Sequence, residues 1–190
     1  MELKANIFYE EVKQQFSFLQ DYGYSFYDNT IRDQSYYRDT TAIVQYIGET
    51  IGIEIYWYFA GARIGVAFKE AKKHEFPKES IFFYYSSLKE PLDLAISRGI
   101  TLNDFVNYIG ECDNPLLLLK YGKDGHYETR RHVNARAKII NENLSGVISG
   151  LAKATHELAI DIIKGDSSIF PEIMKYHTDS LKKIYPEQFE

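Results

Sequence analysis

The chain has 190 residues, of which 45% are hydrophobic and 26% charged, proportions typical of a globular protein, and we expect one domain over residues 1–190. Its net charge of −5 argues against a nonspecific nucleic-acid binder, which would usually carry a basic face. The single cysteine, Cys112, excludes a disulfide framework and a paired-thiol metal site. We also expect no metal and no cofactor.

The N-terminal stretch predicts an amphipathic helix over residues 3–20, because apolar residues such as Phe8 and Val12 recur at steps of three and four. It lacks the basic start, apolar middle and small-residue cleavage site of a signal peptide. No apolar run approaches the roughly 20 residues that a membrane-spanning helix needs. These features predict a soluble cytoplasmic protein without membrane contacts.

Residues 42–68 organise the predicted fold, because they read as three antiparallel strands joined by glycine-containing turns. The central strand alternates between two sets of residues, with Ile51, Ile53, Ile55, Trp57 and Phe59 on one face and Glu54, Tyr56 and Tyr58 on the other. An apolar sheet face needs cover from other elements. We therefore predict an α+β fold, in which an antiparallel β-sheet meander is packed on one face by the N-terminal and C-terminal α-helices.

Between the meander and the C-terminal helices the pattern is less decisive. The apolar run at residues 81–85 is consistent with a further strand or with a segment packed under the sheet. Two short helices are predicted at residues 91–99 and 101–110, from a proline entry, a glycine exit and an N-capping threonine. These pieces are expected to pack against the sheet.

The longest periodic feature runs over residues 129–164 and predicts a helix. A continuous helix of this length would span roughly 50 Å, more than the width of a small domain. It is therefore expected to bend near Gly146 and Gly150, or to project and offer an apolar seam for a homodimer. A final amphipathic helix is predicted over residues 170–185.

Few residue patterns point to chemistry. The THELAID segment around His156 lacks the second histidine of the zinc-binding HExxH helix, so no metal site is expected. Four basic residues at the start of the long helix form a candidate anion-binding site, with an intramolecular ion-pair patch as the alternative: Arg130, Arg131, His132 and Arg136.

Tyrosine is unusually abundant, with 16 copies. Its large apolar ring and polar tip suit a surface that is buried against a partner yet stays soluble alone, although tyrosine also covers the faces and edges of ordinary sheets. The predicted partner-binding surface is the polar face of the central strand, with Tyr56 and Tyr58 beside Glu54.

Four stretches carry a family resemblance: FSFL at residues 16–19, YGY at 22–24, VQY at 44–46 and IKGDSSIF at 163–170. Together they resemble a loose group of small uncharacterised bacterial proteins. Members of that group look like immunity-type proteins, the antidotes encoded beside secreted or contact-delivered toxins. The resemblance implies a protein partner and brings no catalytic residues.

Three hypotheses follow. The leading one is a cytoplasmic protein-binding protein, an immunity protein that neutralises a cognate bacterial toxin. The second is a small-molecule-binding or hydrolytic enzyme whose site gathers Arg131, His132 and distant histidines. The third is a structural subunit that oligomerises through the seam of the helix over residues 129–164.

Overall fold

The structure is a computed structural model that describes residues 2–34, 39–59, 63–71, 74–76, 99–102, 106, 108 and 130–184. In chain order its elements are helix α1 (Glu2–Gln15), a 3-10 helix (Ser17–Tyr22), strands β1 (Ser25–Gln34), β2 (Asp39–Ile47), β3 (Ile51–Tyr58), β4 (Arg63–Glu70) and β5 (Gly99–Thr101), and helices α2 (Arg130–Glu142), α3 (Leu144–Leu158), α4 (Ile160–Ile163) and α5 (Phe170–Ile184). The α+β prediction is confirmed. None of the helices in these ranges is long and apolar enough to cross a membrane.

The sheet is an antiparallel meander in the order β1-β2-β3-β4-β5. Strand β1 precedes the three strands predicted over residues 42–68, and its register shifts at a bulge between Phe26 and Asp28. Strand β5 was not predicted, because Gly99 and Thr101 were interpreted as the end of one helix and the cap of the next. The apolar run at residues 81–85 and most of both short predicted helices lie outside the described residues.

One face of the sheet carries the hydrophobic core, as the alternation predicted. Ile53, Ile55 and Trp57 are buried there, and the ring of Phe8 from α1 lies 5.8 Å from that of Trp57. The same core includes Ile148 of α3 and Ile173 of α5. The N-terminal and C-terminal helices therefore supply the cover that the apolar face needs.

The opposite face is also buried along much of its length, which the sequence did not predict. Ile43 and Gln45 of β2, Ala67 and Lys69 of β4, and Glu54 are all buried. The face predicted to lie open to a partner is therefore closed to solvent around Glu54.

The long C-terminal helix is broken into three pieces, and the first break lies at Asn143 and not at a glycine. Asn143 leaves helical geometry and caps α3, because its Oδ1 accepts a hydrogen bond of 3.1 Å from the backbone N–H of Gly146. A Cβ at Gly146 would collide with the Asn143 side chain, so the glycine makes room for the cap. The second break, at Ala159, separates α3 from α4.

The apolar seam predicted along residues 129–164 packs mostly within the chain. Five of its described members are buried in the core of the chain itself, namely Ile140, Val147, Leu151, Ala154 and Ile162, and three more are partly buried against that core, namely Ala137, Leu144 and Leu158. They are occupied by intramolecular packing, so a homodimer through the helix over residues 129–164 gains no support from them.

Candidate partner-binding surface

The predicted partner residues do not form one accessible surface. The Glu54 side chain is fully buried, and its Oε2 accepts hydrogen bonds from Lys69 Nζ at 3.0 Å and from Gln45 Nε2 at 2.9 Å. The expected exposure of Glu54 is therefore wrong, since polar alternation along one strand does not reveal that neighbouring strands bring partners to the same place. A buried carboxylate does not reach a protein docked on the sheet.

Tyr56 and Tyr58 are half-buried on the same sheet face as Glu54. The phenol of Tyr56 lies over Gly65, where any added Cβ would collide with it. Tyr56 thus packs across the neighbouring strand and leaves part of its ring accessible. Binding of a partner by these two tyrosines stays a prediction.

The basic cluster lies at the start of α2, which begins at Arg130. The side chains of Arg130, Arg131, His132 and Arg136 lie outside the described part of the structure. The candidate anion site therefore stays a prediction.

The structure assigns a packing role to His156. Its Nε2 lies 3.1 Å from the hydroxyl of Tyr22, and its ring stands edge-on to Phe18 at 4.9 Å, so the imidazole links α3 to the 3-10 helix. Over the described ranges, no group of three or more histidine, cysteine or acidic side chains could hold a metal ion.

A different surface gathers charge and aromatic groups. A cleft of about 290 Å³ lies where α3 and α4 meet the loop before α5, and its described lining includes three carboxylates and no basic residue. The carboxylates belong to Asp161, Asp166 and Glu172, and Leu158 and Ile169 contribute apolar wall. The cleft therefore offers negative charge beside apolar surface.

The loop that carries Asp166 is held by the sheet. Gly165 adopts a left-handed backbone at φ +100°, which ends α4 and turns the chain. Ser167 Oγ then donates a 3.1 Å hydrogen bond to Glu70 Oε1 at the end of β4. This attachment fixes the loop relative to the strands and so positions the acidic wall.

Asp166 is further ordered by its own loop. Its Oδ1 accepts a 2.9 Å hydrogen bond from the backbone N–H of Ser168, two residues further on, which forms an Asx turn. Hydrogen bonds from the Ser168 side chain and backbone hold the pKa of Asp166 below its usual range. Asp166 therefore remains charged at neutral pH.

Two tyrosines extend the acidic wall. The Tyr108 hydroxyl donates a 2.7 Å hydrogen bond to Glu172 Oε2, and this bond is the main reason why the pKa of Tyr108 is raised. The ring of Tyr176, one turn after Glu172 and 45% exposed, stands edge-on to Tyr108 at 5.8 Å. We call the group of Asp161, Asp166, Glu172, Tyr108 and Tyr176 the acidic–tyrosine surface.

Sequence reasoning missed this surface because Tyr108 lies 64 positions from Glu172 in the sequence. One local signal was present, since the three acidic residues of positions 161–172 lie on both sides of the turn at Gly165. The contact between Tyr108 and Glu172 has no sequence signature.

Comparison of the chain with models of known families, with curated proteins and with solved structures gave no match.

Proposed function

We propose that this chain is a cytoplasmic protein-binding protein, an immunity protein that neutralises a cognate bacterial toxin by binding it directly. The observation that carries the proposal is the acidic–tyrosine surface, where three carboxylates line one cleft beside the Tyr108 and Tyr176 rings. The resemblance of residues 16–24, 44–46 and 163–170 to immunity-type proteins supports the toxin as the kind of partner.

The charges of this surface fit a basic partner. Three carboxylates without a basic residue in the described lining create a negative potential, to which the net charge of −5 adds. Such potentials speed the encounter with a positively charged protein and favour lysine or arginine side chains in the cleft.

The tyrosines supply the second component of binding. Tyrosine is enriched among the residues that dominate interface energies, because it buries a large ring while its hydroxyl keeps a polar partner. Tyr108 is already oriented by Glu172, so little side-chain freedom is lost when a partner covers it. When bound, this chain would occlude the active site of the toxin and so neutralise the toxin.

The test is affinity capture from the lysate and the culture medium of the source organism with wild-type and variant proteins side by side. The variant Asp161→Asn/Asp166→Asn/Glu172→Gln removes the three charges, and its amide at position 166 still accepts the loop hydrogen bond. A matched control removes three exposed charges elsewhere, as Glu10→Gln/Asp21→Asn/Glu142→Gln.

The proposal predicts that wild type and control retain one stoichiometric protein and that the cleft variant loses most of it. We expect that protein to be toxic when expressed alone and harmless when co-expressed with this chain. Equal retention by the cleft variant, or no partner from either fraction, would overturn the proposal.

A further inference from the structure

Strand β1 is the outermost strand of the described sheet and is ten residues long. Three large apolar side chains on it are exposed, namely Phe26 at 44%, Tyr27 at 48% and Ile31 at 37%. A long edge strand with exposed apolar side chains is a template for pairing with another strand. The sequence of β1 indicates which strand fits.

The ladder decides which backbone groups of β1 face outward. The backbone N–H of Gly48 donates to the carbonyl of Ile51 at 2.9 Å, across the turn between β2 and β3. Backbone groups of alternate residues point to opposite neighbouring strands, so those at even positions of β2 bond to β3 and those at odd positions bond to β1. Thr30 pairs with Ile43, so after the bulge, from Asp28 onward, the even positions of β1 bond inward to β2. The backbone groups of Asn29, Ile31 and Asp33 therefore face away from β2.

One of these outward groups has a local partner. The backbone N–H of Asn29 donates to Asp28 Oδ1 at 2.8 Å. The carboxylate thus satisfies a donor that an added strand would otherwise take, and it sits at the edge where such a strand would arrive.

The strand is complementary to itself about Thr30. When two copies pair antiparallel on a two-fold axis at this residue, Asn29 of each copy lies opposite Ile31 of the other, which matches the outward hydrogen-bonding groups. The same register places position 28 opposite position 32, so each aspartate meets an arginine of the other copy.

Other registers lack this match. An axis at position 29 or 31 brings no opposite charges together, and an axis at Asp28 or Arg32 places a like charge directly opposite itself. Charge complementarity therefore selects one register among those that the outward backbone groups allow.

We propose that this chain forms a symmetric homodimer by antiparallel pairing of its two β1 strands about Thr30, which joins two five-stranded sheets into one. The Asn29 N–H then donates to the Ile31 carbonyl of the second copy, and the register places Asp28 of each copy opposite position 32, an arginine, of the other. This interface shares no residue with the acidic–tyrosine surface, so it does not depend on the proposed function.

The test is the molecular mass in solution, measured by sedimentation equilibrium up to millimolar protein. Wild type should be a dimer at the upper end. Asp28→Lys and Arg32→Glu each place like charges opposite one another twice, and we expect each to raise the dimer dissociation constant about tenfold or more. The combined variant Asp28→Lys/Arg32→Glu restores opposite charges and should restore the dimer. Glu142→Lys, on α2, is the control for a change of net charge.

A second variant tests the backbone contribution. Ile31→Pro removes an outward N–H and no inward one, so it should keep the circular dichroism of the wild type and lose the dimer. A wild type that is monomeric at millimolar concentration would overturn the proposal. A dimer that the single charge variants leave unchanged would overturn it as well.

Discussion

The ion pair between Glu54 and Lys69 allows the sharpest test of how the sheet is buried. Lys69 lies on β4 two residues beyond the direct neighbour of Glu54, and its ammonium reaches diagonally across the strand to Oε2 at 3.0 Å. The two side chains are 0% and 3% exposed. We predict that Lys69→Met is strongly destabilising, since it removes the Lys69 ammonium from beside the buried Glu54 carboxylate.

The magnitude follows from burial. Removal of one partner from a buried ion pair costs about 3–5 kcal/mol of unfolding free energy. For a chain of this size, each kcal/mol lowers the melting temperature by about 2–4 °C. The expected fall in melting temperature is therefore about 6–20 °C. The loss of about 3–5 kcal/mol is a large share of the roughly 5–15 kcal/mol that stabilises a typical protein.

The double variant Glu54→Gln/Lys69→Met distinguishes the energy of the buried ion pair from the energy of side-chain packing at the same two positions. It removes both charges, while the new amide keeps a hydrogen bond with Gln45, so its stability should return to within about 1 kcal/mol of the wild type. The methionine keeps a polarisable group near the Phe76 ring, whose centroid lies 5.2 Å from Lys69 Nζ.

Urea unfolding monitored by tryptophan fluorescence measures these changes. Trp57 is the single tryptophan and is buried against Phe59, with ring centroids 4.5 Å apart, so its emission reports on the core. The control is Lys153→Met, whose ion pair with Glu157 is exposed and contributes about 0–1 kcal/mol. If Lys69→Met cost no more than this control, the sheet face around Glu54 would be open to solvent and our description of it would be wrong.

Two further predictions concern a cap and a buried phenol. Asn143→Ala removes the cap of α3 and should lower the free energy of unfolding by about 1 kcal/mol, measured in urea. Asn143→Asp should lower it by less, because a carboxylate also accepts the hydrogen bond from the Gly146 N–H. Equal losses in the two variants would argue against the cap. Burial raises the pKa of Tyr46 to about 12, so above about pH 10 the unfolded chain loses this proton while the folded chain keeps it. The free energy of unfolding should therefore fall as pH rises, and Tyr46 should contribute about 1.4 kcal/mol per pH unit to this fall between about pH 10 and 12. Tyr46→Phe should remove that contribution. An unchanged pH dependence in Tyr46→Phe would contradict the burial of the Tyr46 phenol.

The predictable parts of the fold are the helices and strands whose apolar residues recur at regular short spacings in the sequence. Alternation around Ile53 predicted the strand and its core face, and the three- and four-residue steps around Phe8 predicted α1. The interruption at Asn143 was misplaced at the glycines, although asparagine is itself a preferred cap and the glycine only accommodates it.

The burial of the second sheet face could not be read from one strand. Glu54 alternates with apolar residues as a solvent-facing side chain would, and its burial becomes evident only when the register brings Gln45 and Lys69 beside it. A signal was present at Gln45, which stands between Val44 and Tyr46 in its own strand. The contact between Tyr108 and Glu172 joins residues 64 positions apart and depends wholly on the tertiary fold.

The central claim is that the acidic–tyrosine surface neutralises a toxic partner. Its most direct test is growth of cells that express the captured partner together with wild type, the Asp161→Asn/Asp166→Asn/Glu172→Gln variant or the Glu10→Gln/Asp21→Asn/Glu142→Gln control. We expect growth with wild type and control and loss of growth with the cleft variant, at equal levels of folded protein. Full protection by the cleft variant would contradict the account.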